Sequence, residues 1–326
     1  MALSATQLLE LVESAVRSSG WRCFVLSARK PFDLRVSQDD GEARDLVVYI
    51  WNCTHGGGAA RAADEYRIQF TTTVPRRDAR ALTLLLGWHQ GYEVFAAWDV
   101  LRHDGQNTQS PSAQIKEATL AHAAQHGFGF LTKQSGEIAV AFRPELFMTY
   151  AVASAELHQT GAATADFSML SNIESITETT IDEIADARRR LIVSRIVRKY
   201  RAADFRKRVL TAYRHRCAMC GIQLELIDAA HIVPVAATES SDETRNGVAL
   251  CKLHHAAYDR NFVSFDENLR IEVSTYERTR LDDAQRTDGL EGFEDTLRDR
   301  LLAAAHNRDR PSPELITLSR RLRRWR

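Results

Sequence analysis

Two short cysteine-containing pairs constrain this chain more than any other feature. Cys217-Ala218-Met219-Cys220 is followed about thirty residues later by Cys251-Lys252-Leu253-His254. Two intervening residues form a turn short enough to point both flanking side chains at one ion, and two such pairs supply four donors of the kind that tetrahedral zinc takes. A structural Zn2+ held by Cys217, Cys220, Cys251 and His254 is therefore expected. The competing reading is a set of reduced core cysteines beside a helix-surface histidine. Five cysteines in 326 residues is an odd and sparse count. It argues against a disulfide framework and for a reducing, cytoplasmic setting.

Charge narrows the partner. The chain balances 43 Lys and Arg against 43 Asp and Glu, which on average argues against a polyanion. The average hides a block: Arg188 to Arg216 holds twelve basic residues and one acid, Asp204, whereas residues 160–187 hold six acids and no Lys or Arg. A basic footprint of this density suits a nucleic-acid backbone, although a solvated helix face has the same look. A second basic cluster, Arg320 to Arg326 around Trp325, ends the sequence. No run approaches the roughly 18 apolar residues of a membrane helix, and the start, followed by an amphipathic stretch from Gln7 to Val16, lacks the pattern of a signal peptide. No membrane partner is expected.

The chain reads as α+β. Short β-rich runs at Cys23–Leu26, Leu46–Trp51, Tyr66–Val74, Leu82–Leu86, Val94–Trp98 and Ile138–Phe142 are flanked by helical patterns at Leu8–Val16, Ala113–Ala124 and Pro144–Leu157. The gaps between most successive runs are too short for helical crossovers, which predicts a mostly antiparallel sheet. Residues 158–175, rich in Thr, Ala and Ser with Gly161 as a helix breaker, read as a linker. A charged helix or helix pair over Thr180–His215, interrupted near Ala202–Asp204, follows. The expected organisation is an N-terminal recognition domain over 1–157, a linker with charged helix over 158–199, and a domain over 200–326 that ends in a helical, basic tail.

The chemistry lies between and after the zinc pairs. Asp228-Ala229-Ala230-His231-Ile232-Val233-Pro234 precedes a polar loop and then Asn246-Gly247-Val248-Ala249-Leu250, and His255-Ala256-Ala257-Tyr258-Asp259 comes after the second pair. This reads as strand, loop, strand, helix. On a helix His255 and Asp259 stand four apart on one face and can hold one divalent cation, while His231 and Asn246 offer an imidazole to deprotonate water and an amide to orient it.

These residues resemble HNH endonucleases of the ββα-metal class, especially the restriction and modification-dependent branch whose sites read Ala-Ala-His-Ile, Asn-Gly-x-x-Leu-Cys and Leu-His-His-x-x-Phe/Tyr-Asp. The lead-in Phe205 to Cys217 shares the likeness, which covers residues 200 to 275 well. It implies a C-terminal ββα-metal domain in which His231 is the general base, Asn246 its positioning partner and His255 a ligand of catalytic Mg2+ or Mn2+. Ala230 stands where many members carry an acid or histidine. Asp259 is favoured as the second ligand, with Asp228 as the alternative. The substrate implied is double-stranded DNA, cut by a homodimer on DNA or by successive nicks because one site cuts one strand.

The N-terminal part resembles a domain associated with methylase and restriction systems, through Trp51 to Gly58, Asp64 to Gln69, Phe95 to Asp99 and Ala141 to Glu145. Alternation over Glu65 to Thr71 puts Arg67 and Gln69 on one face as base-reading candidates, and Arg198, Lys199, Arg201, Arg206 and Lys207 are candidates for backbone contact. The glycine run Gly56-Gly57-Gly58 is either a plain turn or a phosphate-approaching loop. Trp51, Tyr66, Trp88, Tyr92 and Trp98 are either core or a stacking platform for a flipped base. The expected function is a DNA restriction endonuclease. The rivals are a DNA-binding regulator with an inactive zinc-stabilised HNH fold and an effector nuclease switched by a small signalling ligand.

Overall fold

A computed structural model describes residues 2–38, 41–55, 62–70, 73–105 and 111–325. Gly56 to Gly58 and Thr71 lie outside them. The chain divides into two compact units, Met1–Tyr200 and Arg201–Arg326. Among the described residues no helix is long and apolar enough to cross a membrane.

The first unit is built on strands β1 (Arg22–Ser27), β2 (Phe32–Ser37), β3 (Ala43–Asn52), β4 (Thr54–His55), β5 (Glu65–Gln69), β6 (Leu82–His89), β7 (Val94–Trp98), β8 (Ser112–Lys116), β9 (Phe128–Thr132) and β10 (Ile138–Phe142). Seven of them form one sheet in the order β1-β2-β3-β6-β7-β10-β9, and β4-β5-β8 form a second. Every pair is antiparallel except β3 with β6. That parallel pair exists because the chain leaves the large sheet after β3 to build β4 and β5 before returning.

Helices α1 (Ala5–Ser18), α2 (Val100–His103), α3 (Glu117–His126) and α4 (Phe147–Leu157) complete the layers. One face of the large sheet offers Tyr49, Leu85, Trp98 and Ala139, which pack with Ile68, Phe70, Ile115 and Leu120 of the small sheet and α3. The small sheet comes close enough that a Cβ on Gly87 would meet Ile68 Cγ2 at 2.6 Å. On α4, Phe147 packs edge-on against Phe95 and Phe142 of the large sheet, and Tyr150 stacks on Phe142 with ring centroids 4.4 Å apart.

Three sequence expectations are corrected. Residues 112–116 are a strand rather than the start of a helix, since Ala113 and Ile115 alternate into the core and pair with β5. Residues 158–175 are no loose linker. They hold α5 (Ala162–Ser168) and a 3-10 turn over Met169–Ser175, anchored by buried Phe167, Leu170 and Ile173. After α6 (Glu178–Asp182), helix α7 (Ala187–Ala212) runs through Ala202–Asp204 without the expected interruption.

The second unit contains the hairpin β11 (Ile227–His231) and β12 (Gly247–Cys251), helix α8 (Lys252–Asp259), the hairpin β13 (Val263–Phe265) and β14 (Ile271–Val273), and helices α9 (Thr275–Asp283), α10 (Leu290–Glu294) and α11 (Pro313–Leu322). Phe205, Val209 and Leu210 at the end of α7 pack into its core with Val248, Leu250 and Tyr258.

A buried ion-pair triad marks the first unit. Glu137, 7% exposed, accepts from His103 Nε2 at 2.7 Å and from Lys133 Nζ at 2.7 Å. Burial pushes its carboxyl pKa up, but the His103 and Lys133 hydrogen bonds and charges outweigh that and bring it down to about 2. A pKa lowered on folding contributes stability above the unfolded value and loses it as pH falls through the folded one. The triad should therefore add about 3 kcal/mol above pH 4.5 and fade toward pH 2. In thermal melts across that range, Glu137→Gln should fall well below wild type at neutral pH and converge with it in acid. A gap independent of pH would reject this account.

Candidate functional site

The four donors predicted from spacing come together. Cys217, Cys220, Cys251 and His254 place their ligand atoms within 4.8 Å of one another. His254 Nδ1 lies 3.5 Å from Cys217 Sγ and 3.2 Å from Cys251 Sγ, and the Cys220 and Cys251 sulfurs are 4.0 Å apart. Tetrahedral zinc bonds of roughly 2.3 Å to sulfur and 2.0 Å to nitrogen imply edges of about 3.5 to 3.8 Å, so the cluster is compatible with zinc.

The surroundings build that geometry. Gly221 takes φ +84° and closes the first turn by donating its N–H to the Cys217 carbonyl at 2.8 Å. Ala218 N–H donates to the Ala249 carbonyl at 2.7 Å, which ties the turn to β12. The second pair straddles the junction of β12 and α8. His254 Nε2 faces Thr296 Oγ1 at 3.0 Å, an arrangement that leaves Nδ1 as the ligand nitrogen. Hydrogen bonding from Cys251 and His254 lowers the Cys217 thiol pKa, whereas the Cys217 contact and burial raise that of Cys251. Three thiols so close cannot all ionise without a cation.

His231 ends β11 opposite Gly247. A Cβ on Gly247 would meet Val209 Cγ2 at 2.3 Å and Phe205 Cζ at 2.8 Å, so α7 lies this close only because the position is glycine. That approach lets the Phe205 ring stack on His231 at 3.9 Å between centroids, 14° from parallel. His231 Nε2 is 3.0 Å from the Asp242 carboxylate. Asp242 belongs to the polar loop and carried no signal in the sequence.

Asn246 is fully buried but does not bond the His231 ring. Its Oδ1 accepts from Val233 N–H at 2.9 Å, its Nδ2 donates to the Ser241 carbonyl at 2.7 Å, and its own carbonyl accepts from Ile232 N–H at 2.8 Å. It clamps both ends of the loop that carries Asp242, so its influence on His231 runs through that loop. Arg208 braces the same loop, donating to the Asp242 carbonyl at 2.7 Å and to Thr244 Oγ1 at 2.8 Å.

On α8, His255 Nε2 lies 3.4 Å from the Asp259 carboxylate, at the anticipated four-residue spacing. Imidazole and carboxylate are donors that suit a small divalent cation. Asp228 is committed elsewhere: its carboxylate accepts from Arg206 at 2.9 Å and Lys252 at 2.8 Å. Burial raises its pKa, and those two cations outweigh burial to lower it overall. A residue from α11's end joins the parts. Arg323 packs over the Tyr258 ring at 4.5 Å, and one of its terminal nitrogens lies 3.5 Å from the His231 carbonyl and 3.8 Å from Asp259. The sequence showed Arg323 only as one of a basic cluster.

The nucleic-acid candidates separate by partner. Arg206 also donates to the Ile227 carbonyl, so its guanidinium is spent within the protein. Arg188 pairs with Glu156 of α4 and Arg189 with Asp166 of the acidic stretch, which spends part of the basic block within the first unit. Arg198, Lys199, Arg201 and Lys207 are exposed. Arg198 and Lys199 line, with Arg44, Arg195, Trp21 and Met148, a cleft of about 580 Å³ in the first unit. Arg67 and Gln69 occupy alternate positions of β5, flanking the buried Ile68. Trp88 and Trp98 belong to the core, while Tyr66 and Tyr92 pack on His89 and Lys30 Nζ covers the Trp51 ring at 3.9 Å.

Comparison with known proteins gives two family matches. Residues 44–151 match the model for Methylase-associated X1, and residues 217–266 match that for HNH endonuclease. No curated protein matches the chain. A solved structure of a modification dependent TagI restriction endonuclease is similar at 13% identity over 86% of this chain and 81% of that one, with a TM-score of 0.28.

The cluster predicts one zinc per chain by elemental analysis. Cys220→Ala, or prolonged chelation, should abolish the cooperative melting of the second unit, because a small core built around a metal loses its folding free energy with the metal. A metal-free chain that melts as the wild type does would refute a structural zinc.

Proposed function

We propose that this chain is a DNA endonuclease that hydrolyses phosphodiester bonds by a one-metal HNH mechanism and serves in restriction of DNA. The observation that carries the reading is the meeting of three elements at one point. A single nitrogen of Arg323 touches the carbonyl of His231 and the carboxylate of Asp259, so the strand bearing the base and the helix bearing the cation ligands converge there. The family match over 217–266 supports the nuclease class. The methylase-associated match supports a role beside DNA modification, with base reading assigned to the first unit.

His255 and Asp259 would hold Mg2+ or Mn2+, which when bound supplies Lewis acidity to the anionic phosphodiester and its leaving oxygen. His231 takes a proton from water, whose oxygen bonds phosphorus as the bond to the 3′-oxygen breaks. The departing 3′-oxygen is protonated by solvent water, so the products carry a 5′-phosphate and a 3′-hydroxyl, and His231 returns its proton to solvent. The fixed ring, stacked on Phe205 and only 16% exposed, loses little freedom when it meets the attacking water. Arg198 and Lys199 in the cleft, with Arg201 and Lys207, grip the phosphate backbone of double-stranded DNA. A pair of chains, one per strand, makes the double-strand break.

Nicking of supercoiled plasmid in Mg2+ or Mn2+ tests this reading. His231→Ala should cut at least about a hundredfold more slowly while binding DNA as the wild type does. Retention of more than a few per cent of the rate removes His231 from the mechanism. His255→Ala should lose cleavage at every cation concentration. Binding should weaken steeply with salt, and Arg198→Glu with Lys199→Glu should flatten that dependence. An unchanged salt slope would move the backbone contacts elsewhere.

A further inference from the structure

We infer that Asp242 is the positioning residue for His231: its carboxylate holds the ring by Nε2–H and makes Nδ1 the nitrogen that takes the proton from water. The inference rests on the nuclease reading above and adds to it a residue outside every motif of the sequence.

The geometry is specific. His231 Nε2 and Asp242 Oδ1 are 3.0 Å apart, and Phe205 stacks on the ring face, so the imidazole is fixed both in its plane and across it. The carboxylate is fixed in turn by its backbone. Arg208, itself paired with Asp204 at 2.7 Å, donates to the Asp242 carbonyl, and Asn246 holds the carbonyl of the preceding residue, Ser241. Three side chains from two elements thus set the position of one loop residue. A surface ion pair without function needs no such bracing, because pairs between mobile side chains contribute little.

A carboxylate that accepts from one imidazole nitrogen selects the tautomer with its lone pair on the other, and stabilises the imidazolium formed once a proton is taken. The charged groups around His231 are few. Asp242 faces the ring from the loop; Arg208 of α7 binds the Asp242 carbonyl, Thr244 and Asp204, and Arg323 from the chain end lies by the carbonyls of His231 and Tyr258 and the Asp259 carboxylate, so among the described residues both guanidiniums are engaged away from the ring nitrogens. Asp242 is the one carboxylate on the ring among the described residues, so its removal has a defined sign. The imidazolium formed on proton transfer loses its partner and the ring loses its tautomer preference, so the cleavage rate drops.

The test uses the full-length, zinc-loaded chain with nitrogen-15-labelled histidine. In the wild type, the His231 shifts should report the Nε2–H tautomer. In Asp242→Asn, whose uncharged amide can donate as well as accept, the Nε2–H tautomer should lose its dominance, and cleavage near neutral pH should fall about tenfold. Asp242→Glu, which keeps a carboxylate on the loop, should recover part of the rate. Zinc content and melting temperature identify a variant that has failed to fold, and Asp242→Ala then serves as the second measurement. An Nδ1–H tautomer in the wild type, or an unchanged tautomer population in Asp242→Asn and Asp242→Ala, overturns the inference whatever the cleavage result. An Nε2–H tautomer that depends on Asp242, found in a wild-type chain that cuts no DNA, keeps the pairing and removes the hydrolytic role built on it.

Discussion

Three thiols and an imidazole drawn within 4.8 Å of each other form the constraint on which the second unit depends. Such a group is unfavourable by itself, since thiolates repel and burial opposes their ionisation. With a zinc ion the conflict becomes attraction, and one centre joins the turn after α7, the end of β12 and the start of α8. Every element that carries a proposed catalytic side chain leaves from that centre or pairs with a strand that does. His231 is opposite Gly247 on the hairpin, and His255 follows the last donor directly. A small hydrophobic core gains rigidity from this closure that burial alone supplies less well.

From that base the site is assembled by loop and tail rather than by the hairpin alone. The loop between β11 and β12 is fastened at its ends by buried Asn246 and from α7 by Arg208, and it brings a carboxylate to His231. The chain end returns to the same place: Ser319 donates to the Ile232 carbonyl, and Arg323 reaches the carbonyls of His231 and Tyr258. The matched HNH segment, 217–266, contains neither Arg208 nor Arg323. The geometry of its centre therefore depends on residues on both sides of it.

The first unit shows a different economy. Its large sheet is covered on both faces by apolar layers, so aromatic residues that looked available for stacking a base are largely spent on packing. Charge is spent locally as well. Part of the basic block in α7 is paired with acids, through Arg188, Arg189, Arg206 and Arg208, while Arg198 and Lys199 stand at a cleft. Alternation in β5 was legible because a half-buried strand enforces period two. The strand at 112–116 was not, because its Ala, Gln and Lys favour a helix in isolation and only pairing with β5 decides otherwise.

The sequence by itself determined the donor set Cys217, Cys220, Cys251 and His254, the strand-loop-strand-helix order, and the His255–Asp259 pair. Each follows from short spacing, where turn and helix geometry fix which side chains meet. Only the tertiary structure decided that Asp242 sits on His231, that Asp228 is held by Arg206 and Lys252, that Asn246 clamps a loop instead of touching the ring, and that Arg323 closes the site. Apart from the Asn246 bond to Ser241, those contacts join residues from 11 to 92 positions apart. No periodicity spans such separations, and the packing of whole elements has to be complete before the side chains can meet.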